Sequence, residues 1–167
     1  MQSGLLSTVL LASHYALAIV NPPIPMQAVV SEWYCRIPYM DGLAIDGFNL
    51  DLRPDGQMVT TGVIIFDQKW AYEYKQIGNW SLKDRMLIIR SEQNNAVRMH
   101  SKETEQKLKQ NEKLRQAENT LFNEVQQNTN LAEGLSFNIV GLTKRHMKLE
   151  QIDEVDKKNI LGECHKK

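Results

Sequence analysis

The stretch Phe48-Asn49-Leu50-Asp51-Leu52-Arg53-Pro54-Asp55-Gly56, followed by the mostly apolar run from Met58 to Phe66, decides the fold class. Phe48, Leu50 and Leu52 alternate with Asn49, Asp51 and Arg53. That period of two puts one set of side chains on a buried strand face and the other in water. Pro54-Asp55-Gly56 then makes a turn, because proline presets the first dihedral and glycine accepts one that other residues avoid. Two strands joined by a tight turn form an antiparallel hairpin.

The same grammar continues on both sides. Asp67-Gln68 connect to Lys69–Lys75, in which Trp70, Tyr72 and Tyr74 share one face and Lys69, Glu73 and Lys75 the other. Gly78-Asn79-Trp80-Ser81-Leu82, the turn Lys83-Asp84 and Met86-Leu87-Ile88-Ile89 read as a further hairpin. After Gly134 come three more strands, Leu135–Val140, His146–Glu150 and Asn159–Cys164. The chain is thus expected to be mainly β within the α+β class, with an antiparallel meander over about 28–91 and further strands over 135–164.

Between the two strand blocks the pattern changes. From Met99 to Asn130 there is no Gly or Pro, and Lys, Glu, Gln, Asn and Leu dominate; all but Asn are good helix formers. Leu114, Ala117, Leu121, Phe122 and Val125 fall on one helical stripe, and Glu103 with Lys107 and Glu105 with Lys109 are favourable i,i+4 pairs. One long amphipathic helix over about 99–130 is therefore expected before the last three strands. Its apolar stripe needs a partner surface, either the barrel itself or another chain.

The 167 residues suffice for one domain, and 20 Lys and Arg balance 20 Asp and Glu, so the chain offers no basic field for nucleic acid. None of the forty charges falls in residues 1–31. The apolar run Leu5–Ala12, followed by Ala16-Leu17-Ala18, reads as a signal peptide over 1–18, although no positive residue precedes the run. The other readings are a buried N-terminal helix or a weak anchor; once the signal is removed, no stable membrane span is expected. Residues 19–27 carry three prolines and read as a leader into a single domain over 28–167.

Cys35 and Cys164 stand near the two ends of that domain. In an oxidising compartment, periplasmic or extracellular, they are expected to form a disulfide that joins the first and last elements; otherwise they are two unrelated thiols.

Trp33-x-Cys35, the Pro54-Asp55-Gly56 turn, Gly78-Asn79-Trp80-Ser81-Leu82 leading into Asp84-x-Met86-Leu87-Ile88, and Phe137-x-Ile139-x-x-Leu142-Thr143 leading into Met147-x-Leu149 form a set of hairpin signatures. In these the chain resembles small exported bacterial proteins of lipocalin-like type. The resemblance covers about Ser31 to Lys166 and is interrupted by the helix, which departs from a simple up-and-down barrel. It implies a barrel or half-barrel able to enclose a ligand, with Trp33 and Trp80 in its core or floor.

Catalytic and metal-binding patterns are weak. His100, His146 and His165 match no metal-ligand spacing, and no serine-hydrolase, P-loop or dinucleotide motif occurs. Asp41, Asp46, Asp51 and Asp55 recur near Gly42, Gly47 and Gly56 but lack the order of a calcium loop, so ordinary turn chemistry is the preferred reading. No cofactor or metal is expected.

The expected function is that of a non-enzymatic exported binding protein. It would take either a protein partner, as an inhibitor or immunity factor, or an apolar small molecule. The candidate binding residues are Trp70, Tyr72 and Tyr74 with Leu114, Leu121, Phe122 and Val125. The alternative is an enzyme with scattered acid and base residues, for which Glu73, Asp84 and His146 are the candidates.

Overall fold

Eight strands hydrogen-bond in sequence order, each antiparallel to the next, and the last returns to the first to close a barrel. They are β1 (Ser31–Tyr39), β2 (Ala44–Leu52), β3 (Gln57–Phe66), β4 (Trp70–Lys83), β5 (Met86–Arg98), β6 (Leu135–Leu142), β7 (His146–Ile152) and β8 (Asn159–Lys166). The computed structural model describes residues 22–128, 134–152 and 158–167, so the signal-peptide expectation for 1–18 lies outside the described residues.

Period-two alternation builds the interior. Trp33, Cys35 and Ile37 of β1 and Phe48, Leu50 and Leu52 of β2 are all buried. Between β1 and β8, Cys35 is registered opposite Cys164, and the two are joined by a disulfide. The expected bridge thus fastens the seam along which the barrel closes.

One end of the barrel is plugged. Residues 22–30 cross it: the Ile24 N–H donates to the carbonyl of Asp84 in the β4–β5 turn, and Ile24 packs against the core. Met26–Ala28 form one turn of 3-10 helix. The Trp33 indole donates to the Val29 carbonyl at 2.8 Å and the Trp80 indole to the Arg53 carbonyl at 3.0 Å. Both tryptophans are buried, in keeping with the core or floor position that the resemblance implied.

Three local expectations need correction. Trp70–Lys75 and Gly78–Leu82 are one strand of 14 residues, carried through by a register shift between Ile77 and Gly78. Glycine is required there, since a Cβ at position 78 would run into the Arg90 carbonyl oxygen. Its long partner β5 extends to Arg98, beyond the expected limit near Ser91, because polar residues suit the outer face of a paired strand.

The helix over 99–130 is two helices, α1 (Lys102–Gln110) and α2 (Glu112–Asn128), separated at Asn111. Asn111 takes extended dihedrals, and its side-chain oxygen accepts the Leu114 N–H, the capping chemistry for which asparagine is suited. Ser101 caps α1 by accepting from the Thr104 N–H, and Lys107 pairs with Glu103 at 2.6 Å as expected. On α2, Ala117 is exposed and Glu118 is buried in its place.

Candidate functional site

At the end opposite the floor, a cavity of about 430 Å³ opens between the strands. Its walls are mostly apolar, with Phe48, Ile64, Phe66, Ile89 and Phe137 pointing in from four strands. From above, α2 leans over the opening and contributes Val125. Among the described residues that line the cavity, Asp46 is the only one with an acidic or basic side chain of the Asp, Glu, Lys, Arg or His kind.

Asp46 sits on β2 in phase with Ala44, Phe48, Leu50 and Leu52, so the strand pleat turns its carboxylate inward. The Tyr74 hydroxyl donates to it and lies 2.9 Å from each carboxylate oxygen. Removal from water pushes the Asp46 carboxyl up to about 7, an effect that the Tyr74 hydrogen bond only partly offsets. Burial and the neighbouring Asp46 carboxylate also raise the hydroxyl of Tyr74 and that of Tyr39, which approaches from the end of β1. Further round the wall, the buried carboxamide oxygen of Gln151 has no hydrogen-bond partner among the described residues.

A second polar cluster fixes the helix to the barrel rim. One carboxylate oxygen of Glu118 accepts from Arg98 Nε at 2.8 Å, from His100 Nε2 at 3.0 Å and from the Tyr72 hydroxyl at 3.1 Å. His100 Nδ1 accepts the Ala71 N–H at 3.2 Å, which leaves Nε2 as the nitrogen that donates to Glu118. Arg98 also lies 3.8 Å above the Phe122 ring and donates to Asn119. Burial alone would raise the Glu118 carboxyl, but the hydrogen bonds from Arg98, His100 and Tyr72 outweigh it and hold the group below its usual range. All the donors come from β4, β5 and the residues just after β5, so this cluster is a clasp between α2 and the barrel wall.

The structure divides the residues expected to bind a ligand or partner. Tyr74 and Val125 line the cavity. Tyr72 is sealed in the seam under α2, stacked on Phe122 at 5.7 Å, and Leu121 packs against the same core. Trp70 is half-buried at the barrel rim and, like Tyr72, is not part of the cavity wall. Leu114 is half-buried and lies outside the core packing.

The candidates for scattered acid-base chemistry are not brought together. Glu73 is on the outer face of β4, Asp84 in the floor turn, and His146 is exposed at the floor end, with its ring against that of His165. Turn chemistry accounts for Asp55, whose carboxylate accepts the Gln57 N–H, but not for Asp46, which lies within a strand. Asp46 is the cavity group that the turn reading missed, and Tyr39 is one that the sequence did not single out. Extending the Phe48, Leu50, Leu52 alternation back by one step would have placed Asp46 indoors.

No protein-family model matches the chain, and no curated protein matches it significantly. Among the described residues, no helix is long and apolar enough to cross a membrane.

Proposed function

We propose that the protein is an exported, non-enzymatic receptor or carrier that encloses one small, largely apolar ligand in its barrel. The observation that carries this reading is the cavity. Its volume of about 430 Å³ falls in the range of small-molecule sites, and its apolar wall is interrupted by a few polar groups, among them Asp46, Tyr74 and Gln151. The disulfide supports a site of action in an oxidising compartment, periplasmic or extracellular, as does the apolar run before Ala16-Leu17-Ala18. Tyr72 and Tyr74 are buried, so an inhibitor that grips a protein partner would need a surface other than the aromatic stripe; the small-ligand reading is therefore preferred.

The test is a fluorescence titration with N-phenyl-1-naphthylamine, an apolar probe that is uncharged at neutral pH. Saturable binding of one probe per barrel in the micromolar range is expected. Val125→Trp, which fills the cavity from the helix side, should weaken it at least tenfold. Non-saturating fluorescence, or full binding by the filled variant, would overturn the proposal.

A further inference from the structure

A carboxylate in an apolar cavity ordinarily has a cationic partner, because an unpaired buried charge is expensive to maintain. Among the described residues Asp46 has none: no ion pair reaches it, and its one hydrogen-bond partner there is the Tyr74 hydroxyl. A carboxylate offers about four lone-pair positions, and a single hydroxyl proton shared between both oxygens leaves most of them open. β1 presents Tyr39, β4 presents Tyr74, β3 presents Gly62 and Ile64, and α2 presents Val125. Among the described residues that line the cavity there is no Lys, Arg or His. The space beside the carboxylate is walled by Tyr39, Phe48 and Tyr74, and aromatic faces attract cations.

We infer that the cavity selects ligands carrying a protonated amine on an apolar body, with Asp46 as the counter-ion and Tyr39, Phe48 and Tyr74 as the aromatic wall around the ammonium group. This rests on the reading of the barrel as a small-ligand receptor and names the ligand class. The position of the Tyr74 hydroxyl, equidistant from both oxygens, suits an anion rather than a protonated acid. An ammonium group supplies the missing charge together with N–H donors for the open lone pairs. It would also pull the Asp46 carboxyl down from about 7, so binding is coupled to release of a proton below neutral pH.

The experiment displaces N-phenyl-1-naphthylamine with three ligands of matched size, 4-phenylbutylamine, 4-phenylbutanol and 4-phenylbutyrate, at pH 7.5. The amine should displace the probe at a concentration at least tenfold lower than the alcohol, and the carboxylate should be weakest. Raising the pH from 6 to 8 should strengthen amine binding by about tenfold and leave alcohol binding unchanged. Asp46→Asn should lose the preference for the amine, so that in this variant amine and alcohol displace the probe at concentrations within about twofold of each other.

Equal displacement by amine and alcohol, preference for the carboxylate, or an amine preference that survives in Asp46→Asn would overturn the inference while the receptor reading stands. Absence of probe binding in the wild-type protein would instead overturn the receptor reading, and the inference with it.

Discussion

Tyr74 occupies the space in which a side chain at position 62 would stand. Gly62 is its cross-strand partner on β3, and a Cβ there would lie 2.7 Å from the Tyr74 hydroxyl oxygen and 2.6 Å from the Phe48 Cβ. The tyrosine ring can therefore lie over β3 and place its hydroxyl on Asp46 of β2. The smallest residue of the sheet sets the geometry of the one charged group in the cavity.

Gly62→Ala should break that arrangement. The added methyl has to displace either Phe48 or Tyr74, an overpacking that costs roughly 2 kcal/mol in a filled core. The expected outcome is a lower denaturation midpoint in urea, with the Tyr74–Asp46 hydrogen bond lost in a structure of the variant. Unchanged stability would show that the neighbours yield freely.

Asp46 gives the free protein a distinctive pH dependence. Its carboxyl titrates near 7 in the folded protein, against an ordinary value of 3.8. Between those values the folded state holds a proton that the unfolded chain has released, so the contribution of this group to stability falls as the pH rises from about 4 to 7. Asp46→Asn removes the titration. Its stability relative to the wild type should improve between pH 5 and pH 8 by roughly 1–2 kcal/mol, allowing for the water that the open cavity admits. Urea denaturation of both proteins at the two pH values measures the difference.

The Glu118 clasp behaves in the opposite sense. A carboxyl held below its usual range stabilises the fold above that range, and the contribution is lost as the pH falls through the folded value. Acidification should therefore release α2 from the barrel before the strands unfold, seen as faster amide exchange confined to the helices. At neutral pH, Glu118→Ala leaves Arg98, His100 and Tyr72 without their shared acceptor and should cost roughly 3 kcal/mol.

Reduction of the Cys35–Cys164 bridge, which spans a sequence separation of 129 residues, should lower stability by about 5 kcal/mol on the chain-entropy estimate. The measurement is denaturation with and without a thiol reductant, with a Cys35→Ala, Cys164→Ala double variant as the reference. The same loss in both would assign the effect to the cross-link.

The sheet was legible because its signal is local. Alternation in Phe48–Leu52 and the Pro54-Asp55-Gly56 turn each lie within a few residues, and the three strands after Gly134 follow the same grammar. Closure of the barrel was less so. It depends on β1 meeting β8, a pairing between distant residues for which Cys35 and Cys164 were the one visible sign.

The cavity was legible in its apolar part and not in its polar part. Asp46 beside Gly47 looks like a turn, and the turn reading hides its inward phase. Glu118 hides likewise: it stands four residues after Leu114 and four before Phe122, on the stripe that packs against the barrel, but acidic residues on a helix usually belong to the solvated face. The break at Asn111 was masked by strong helix formers on both sides.

The plugged floor also gives the molecule a direction. Ile24 meets the β4–β5 turn, and the Lys167 N–H donates to the carbonyl of Glu32 at the start of β1, so both extremities of the described residues lie on the floor side. A reporter, a solid support or a neighbouring module joined through either extremity would sit behind the barrel. The opening would still face outward, free to exchange its contents with the surroundings.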